Sequence, residues 1–422
     1  YEYSRSAMAR MSALTPLAGV LLTQQGFVID RWRDHALPDY RDVVIDEAHH
    51  LEETATQALT LELSAYSLAH VARLTGAGGG EGRDVLSGIA KVKQLLETGP
   101  EAWTTEAAWW SEWTAAWYEQ SETLGEAVLG LLGVPGKAMR EPVDKRLTEE
   151  VRSTDGWAAV EQEIGKIREM IGQAVERLKS LGSKVREQAA AEGVDLQEFL
   201  NDQAAAALAL AELEPAIEHL LGGAQGRVMW AEARPEAGTP TWGLYSAPID
   251  VAEPLNETLL RECASLVLTG ATITVDESFA FYRQQCGLDA QAQRLVELIV
   301  PSPFDWQRQL LLCLPTDLPN PGSQEHADAV VDVVVRLAEI TQGGVLVLFT
   351  ARQRMLAAWE ALKEALRELE LSLLCQDVSG ERWWLLEQMR SDARTVLLGL
   401  RSLWEGVDVP GQHLQCVVVE KM

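Results

Sequence analysis

Two rhythms of apolar residues divide this chain. Compact β-branched or leucine-rich runs occupy residues 43–45 (VVI), 265–274 (SLVLTGATIT), 343–350 (GGVLVLFT), 394–400 (RTVLLGL) and 414–421 (LQCVVVEK). Such runs suit strands buried on both faces of a parallel sheet. From about 59 to 225 the composition is instead Ala, Leu, Glu, Gln and Trp at helical spacing, with hardly any β-branched runs. That stretch predicts a helical insertion forming its own subdomain, interrupted by glycine-rich segments at 76–82 and 130–137. Upstream, residues 1–30 predict a helix (SRSAMARMSAL) and an apolar strand-like stretch at 17–23, followed by a Pro/Asp-bearing loop at 34–42.

From residue 230 the pattern returns to strands, with TWGLYSAPID extended up to a proline stop. Pro-rich segments at 301–304 and 314–324 read as a linker into a second α/β unit. That unit predicts a helix over 327–340, a strand over 343–350, a helix from Arg352 and two further strands. Strand and helix in alternation imply a parallel sheet. The expected division is therefore 1–58, 59–229, 230–300 and 301–422, the first and third forming one α/β domain.

The length of 422 residues fits two or three cores rather than one. A hydrophobic fraction of 47% and a charged fraction of 23% are those of an ordinary globular protein. No apolar run approaches the ~20 residues that span a bilayer, and the N-terminus lacks the layout of a signal peptide. The expectation is a cytoplasmic protein with no membrane partner. Cys263, Cys286, Cys313, Cys375 and Cys416 are scattered without a CxxC pair and read as small buried hydrophobes. The net charge of −27 excludes a protein that coats nucleic acid by bulk electrostatics, though not one with a local basic track.

Chemistry concentrates in VVIDEAHHLEE at 43–53. The apolar run delivers Asp46 and Glu47 to a strand's C-terminal end, where open α/β sheets place ligands. In nucleotide hydrolases a carboxylate there holds Mg²⁺ and a polar neighbour orients the attacking water. A zinc reading of His49 and His50 fails, because HHLEE lacks a second, helically spaced histidine. Thr269 and Thr272, flanking Ala271, sit at a strand end, where small hydroxyls can exchange hydrogen-bond partners. In WEGVDVPG, Gly406 permits close backbone approach and Asp408 can accept from a ribose or a basic partner. Trp103, Trp110 and Trp117 recur every seven residues, with Trp113 between. Bases stack on aromatics in single-strand channels, but a helix-packing core is the favoured reading.

Taken together, LLTQQGFVID, VVIDEAHHLEE, SAPIDVAEPLNETLL with SLVLTGATIT, GGVLVLFTARQRML and LLGLRSLWEGVDVPG resemble, in order and approximate spacing, the helicase motifs of the bacterial DinG and archaeal/eukaryotic XPD family. The resemblance implies two RecA-like parallel-sheet domains, both incomplete, with an arch-like helical insertion in the first. It implies a superfamily 2, ATP-dependent DNA helicase moving 5′→3′ on single-stranded DNA, a monomeric motor acting on single-stranded and forked DNA in repair or replication. By that resemblance Glu47 polarises the hydrolytic water, Asp46 holds Mg²⁺ through water, and His49 links the ATP site to motif III. Thr269, Ala271, Thr272, Gly406 and Asp408 couple to ATP, and Thr350, Arg352 and Trp404 contact DNA.

Some family features are missing. No Walker A sequence occurs, and GLLGVPGKA misses it: Gly130 and Gly136 are one residue too far apart, and Ala138 replaces the Ser/Thr. The sequence stops before the arginine-bearing motif VI. Both ends are expected to be cut from a longer protein. Because an arginine finger contributes about 10³–10⁵ in rate, these residues alone are expected to be nearly inactive. Many relatives carry a four-cysteine iron–sulfur cluster whose last ligand falls near residues 1–10. Tyr1–Arg10 has no cysteine, so the cluster is expected to be absent. Gly270 and Ala351 stand where relatives usually carry serine. The alternative is a helicase-like module that binds DNA or a repair partner without hydrolysis.

Overall fold

The computed structural model describes residues 20–22, 41–77, 83–96, 100–134, 139, 141–223, 225–236, 239–261, 263–321 and 323–421. The expected N-terminal helix, most of LLTQQGFVID, the loop at 34–40, the thiol-free Tyr1–Arg10 and parts of both glycine-rich breaks lie outside them. The chain forms two compact units, Tyr1–Val300 and Pro301–Met422.

In the first unit β1 (Val20–Leu22) runs parallel to β2 (Asp42–Ile45), which leads through α1 (Leu51–Ala58) to β3 (Leu61–Ser64). A helical body follows: α2 (Ala65–Ala72), α3 (Val85–Leu95), α4 (Pro100–Leu132), then β4 (Val143–Arg146), α5 (Asp155–Glu192), α6 (Gln197–Ala211) and α7 (Glu214–Gly222). The chain returns through β5 (Arg227–Arg234) and β6 (Thr241–Pro248) to β7 (Ser265–Leu268) and α8 (Ala280–Cys286). β7 lies parallel to β2, giving the order β1-β2-β7.

The helical body is built on α4 and α5. Along α4, Trp103, Trp110, Trp117, Leu124 and Leu131 recur every seven residues, and all are buried. Along α5, Trp157, Val160, Ile164, Ile167 and Ile171 alternate steps of three and four, the spacing of a packed helix seam, and are also buried. The tryptophans are therefore core, as their periodicity predicted, and the Trp117 indole donates to the Leu68 carbonyl at 3.0 Å. Thr154 caps the start of α5 by accepting the Trp157 N–H, and Gly193, at φ 68°, ends it. Glu106, buried inside this core, receives Arg177 at 2.8 Å and Lys184 at 3.1 Å from α5.

Three expectations need correction. The stretch from 59 to 225 is not wholly helical, since β3 and β4 belong to an antiparallel sheet ordered β3-β6-β5-β4. The return to the first α/β domain does not begin at 230. β5 and β6 share one core with the helices, through Met229, Ala231, Trp242 and Leu244. The insertion thus closes near Pro248, where Arg227 binds both Ser246 and the Leu59 carbonyl at its neck. Finally, β7 is an edge strand among the described residues, with Val267 51% exposed, rather than a strand buried on both faces.

In the second unit α9 (Gln324–Thr341) is capped by Ser323, which accepts the His326 N–H. β8 (Val345–Leu348), α10 (Arg352–Glu368), β9 (Ser372–Cys375), α11 (Arg382–Ser391), β10 (Thr395–Gly399) and β11 (Cys416–Val419) follow. The sheet is wholly parallel, ordered β11-β8-β10-β9. One face (Val345, Val347, Val396, Leu398) packs on α9 and α10, and the other (Leu346, Leu348, Leu397) on Leu385, Leu386 and Met389 of α11. The paired glycines before β8 are required: a Cβ on Gly343 would stand 2.4 Å from the Ala393 carbonyl oxygen, and one on Gly344 2.7 Å from that of Gln412. The whole is the mixed α/β class expected, RecA-like parallel sheets with a large helical insertion.

Candidate active site

The motif II carboxylates stand where β2 ends. Val43 and Ile45 are buried, whereas Asp46 and Glu47 emerge exposed at the strand's C-terminal edge. Asp46 Oδ1 accepts the Glu47 N–H at 3.0 Å, and Glu47 adopts a left-handed backbone with φ 51° and ψ 43°. That turn swings the chain into Ala48–His50 and α1, whose Leu51 and Ala55 return to the core. His49 Nδ1 lies 3.4 Å from Glu47 Oε2, and His50 Nδ1 lies 3.9 Å from Glu53 Oε2.

Motif III joins this strand end through its main chain. The Thr269 N–H donates to the Ile45 carbonyl at 2.9 Å, and the Ala48 N–H donates to the Thr269 carbonyl at 2.9 Å. Thr269, Ala271 and Thr272 are all exposed beyond β7, beside the carboxylates' loop. A Cβ on Gly270 would lie 3.2 Å from Ile273 Cγ1 and 3.4 Å from the Ala48 nitrogen, so even a serine there requires a small adjustment. Backbone bonds at Thr269 and Ala48 thus link motifs II and III.

In the second unit Thr350 is exposed at the end of β8, and Arg352 opens α10. Arg352 pairs with Asp377 at 3.1 Å, so its charge is shared with a neighbour. Motif V leaves β10 as a loop in which Trp404 is 37% exposed and Gly406 has φ 64°. Asp408 is exposed, and its main-chain carbonyl accepts Arg390 Nε at 3.0 Å and Nη2 at 2.8 Å. Arg382 donates to the carbonyls of Ser402 (2.9 Å), Glu405 (3.0 Å) and Gly406 (3.1 Å). Gln376 adds bonds to Ser402 Oγ and the Leu400 N–H. Sequence reasoning missed Arg382, Arg390 and Gln376. The available signal was two arginines eight residues apart, on one face of the helix preceding β10.

Adjacent exposed carboxylates are hard oxygen donors, and their placement at a strand end suits Mg²⁺ held largely through water. The arrangement can orient a water molecule beside a phosphate and couple that geometry, through Thr269, to a neighbouring strand.

Residues 334–422 match the helicase C-terminal domain family. Over 181 residues, 43% of the chain, it is 31% identical to the ATP-dependent DNA helicase YoaA of Haemophilus influenzae. It is 33% identical over 216 residues, half of the chain, to the ATP-dependent helicase DinG of Mycobacterium tuberculosis. Across all of the chain it is 23% identical to the 3′-5′ exonuclease DinG of Bacillus subtilis. These alignments cover 27%, 31% and 44% of those relatives, so the chain spans less than half of their length. Fold and motifs together define a superfamily 2 helicase architecture. Within that class the chain is DinG-like, as its motifs indicated.

Proposed function

We propose that this chain forms part of an ATP-dependent DNA helicase that moves 5′→3′ along single-stranded DNA, as a monomeric motor acting at forked duplexes in the cytoplasm. The observation that carries the reading is the presentation of Asp46 and Glu47 at the end of β2, tied by main-chain bonds to Thr269. Glu47 orients and polarises the attacking water, and Asp46 would hold Mg²⁺ through a water ligand. When bound, the ion would supply positive charge to the phosphates. His49, beside Glu47, links the ATP site to the motif III strand. Thr269, Ala271 and Thr272 report the state of the nucleotide to β7.

In the second unit Thr350, Arg352 and Trp404 take the DNA strand, the first two at its phosphates and Trp404 by stacking. Gly406 and Asp408 pass the ATP state to that surface. The reading includes no iron–sulfur cluster, an expectation that rests on Tyr1–Arg10 offering no thiolate. Among the described residues no helix is long and apolar enough to cross a membrane.

Strand displacement by the full-length protein tests the reading. Duplexes with a 5′ single-stranded tail should be unwound with ATP, and duplexes with only a 3′ tail should not. Equal unwinding of both, or displacement without ATP, would contradict it.

A further inference from the structure

We propose that Tyr282 is a positioning residue for the motif II carboxylates, an assignment that rests on the hydrolytic role proposed for Glu47. The left-handed backbone of Glu47 is disfavoured for any residue with a side chain and persists only where its surroundings hold it. The holding is done at the next peptide. Ala48 is fully buried, its N–H donates to Thr269, and its carbonyl accepts the Tyr282 hydroxyl at 2.8 Å. The Thr269 N–H closes the other side on Ile45. Asp46 and Glu47 therefore occupy a short loop pinned at both ends. Two of the pins are main-chain bonds, and the Tyr282 hydroxyl is a pin supplied by a side chain from α8.

The geometry of α8 explains why this residue can act so. Tyr282 and Cys286 lie one turn apart on its buried face, in the same core as Val43, Ile45, Ala48 and Leu51. The ring is fixed by packing before the hydroxyl makes its bond. Burial raises the hydroxyl's pKa far above the ordinary phenol range and pushes the Cys286 thiol up to about 11, so the tyrosine remains a donor throughout the working pH range. Tyr282 lies 234 residues from Ala48 along the chain, across the whole insertion.

Tyr282→Phe deletes one oxygen and keeps the packing. With the Ala48 carbonyl released, Glu47 loses its fixed reference, and misplacement of a catalytic group lowers the rate far more than it weakens substrate binding. In the full-length protein, kcat for DNA-stimulated ATP hydrolysis should fall about three- to tenfold, while KM for ATP stays within about twofold. Amide hydrogen exchange over residues 46–50 should quicken while β2 stays protected. A packing role alone would lower the melting temperature and leave kcat per active site unchanged. Wild-type kcat and wild-type exchange in Tyr282→Phe would overturn the assignment. A wild-type protein unable to hydrolyse ATP would overturn the reading of Glu47 beneath it.

Discussion

Two motif-bearing loops, one in each unit, are held by opposite means. The motif II loop is secured from within: buried Ala48 is held by the Tyr282 hydroxyl, and two main-chain bonds tie the loop to motif III. The motif V loop is secured from outside, by exposed Arg382 and Arg390 whose guanidinium groups grip its carbonyls. Bonds from charged donors are individually stronger, but at an exposed site water and salt compete for them. On the proposed function, a loop that presents a water-activating carboxylate gains from a dry, invariant hold, and a loop that answers a passing DNA strand gains from one that can loosen. That reading makes the strand end of the first unit the rigid one and that of the second the adjustable one.

The largest expected effect lies on the rigid side. Glu47→Gln should reduce hydrolysis by on the order of 10³ or more while nucleotide binding persists, measured by steady-state turnover alongside a binding titration. Next, Trp117→Ala in the insertion core should cost about 3–5 kcal/mol in the unfolding of that region, followed by chemical denaturation. Basal ATP hydrolysis should barely move, because the indole belongs to the helical core and not to either loop. On the adjustable side, Arg382→Gln should lower DNA-stimulated hydrolysis about fivefold at low salt, and the deficit relative to wild type should narrow as salt rises. Arg382→Lys should recover only part, since an ammonium cannot reproduce the guanidinium's spread over three carbonyls. The smallest effect belongs to Gly270→Ser, where Ile273 needs to shift only slightly, and the rate should change less than about twofold.

The parts that could be read from sequence share a physical cause. Residues 43–45, 345–348 and 395–399 are apolar runs whose neighbours on both sides cover them, so local composition announces the strand. The α4 tryptophans announced themselves by a seven-residue period. The four-residue strands β3 and β4 did not, because short strands owe their stability to partners: Leu61 pairs with Ser246, and Arg146 with Trp230. For the same reason the insertion's true end near Pro248 was hidden, since β5 and β6 read as generic strands until their partners were known. At the site, Asp46, Glu47 and Thr269 were legible from motif position. Tyr282 was not, because its contribution is one hydroxyl reaching a distant carbonyl. Arg352 read by resemblance as a DNA contact, and only the fold shows Asp377 beside it.

ATP hydrolysis by the full-length protein, with and without single-stranded DNA, bears most directly on the central claim. Strong stimulation by single-stranded DNA is the predicted result, and it should vanish in Glu47→Gln. No hydrolysis with DNA binding intact would contradict the motor and leave a helicase-like binding module in its place.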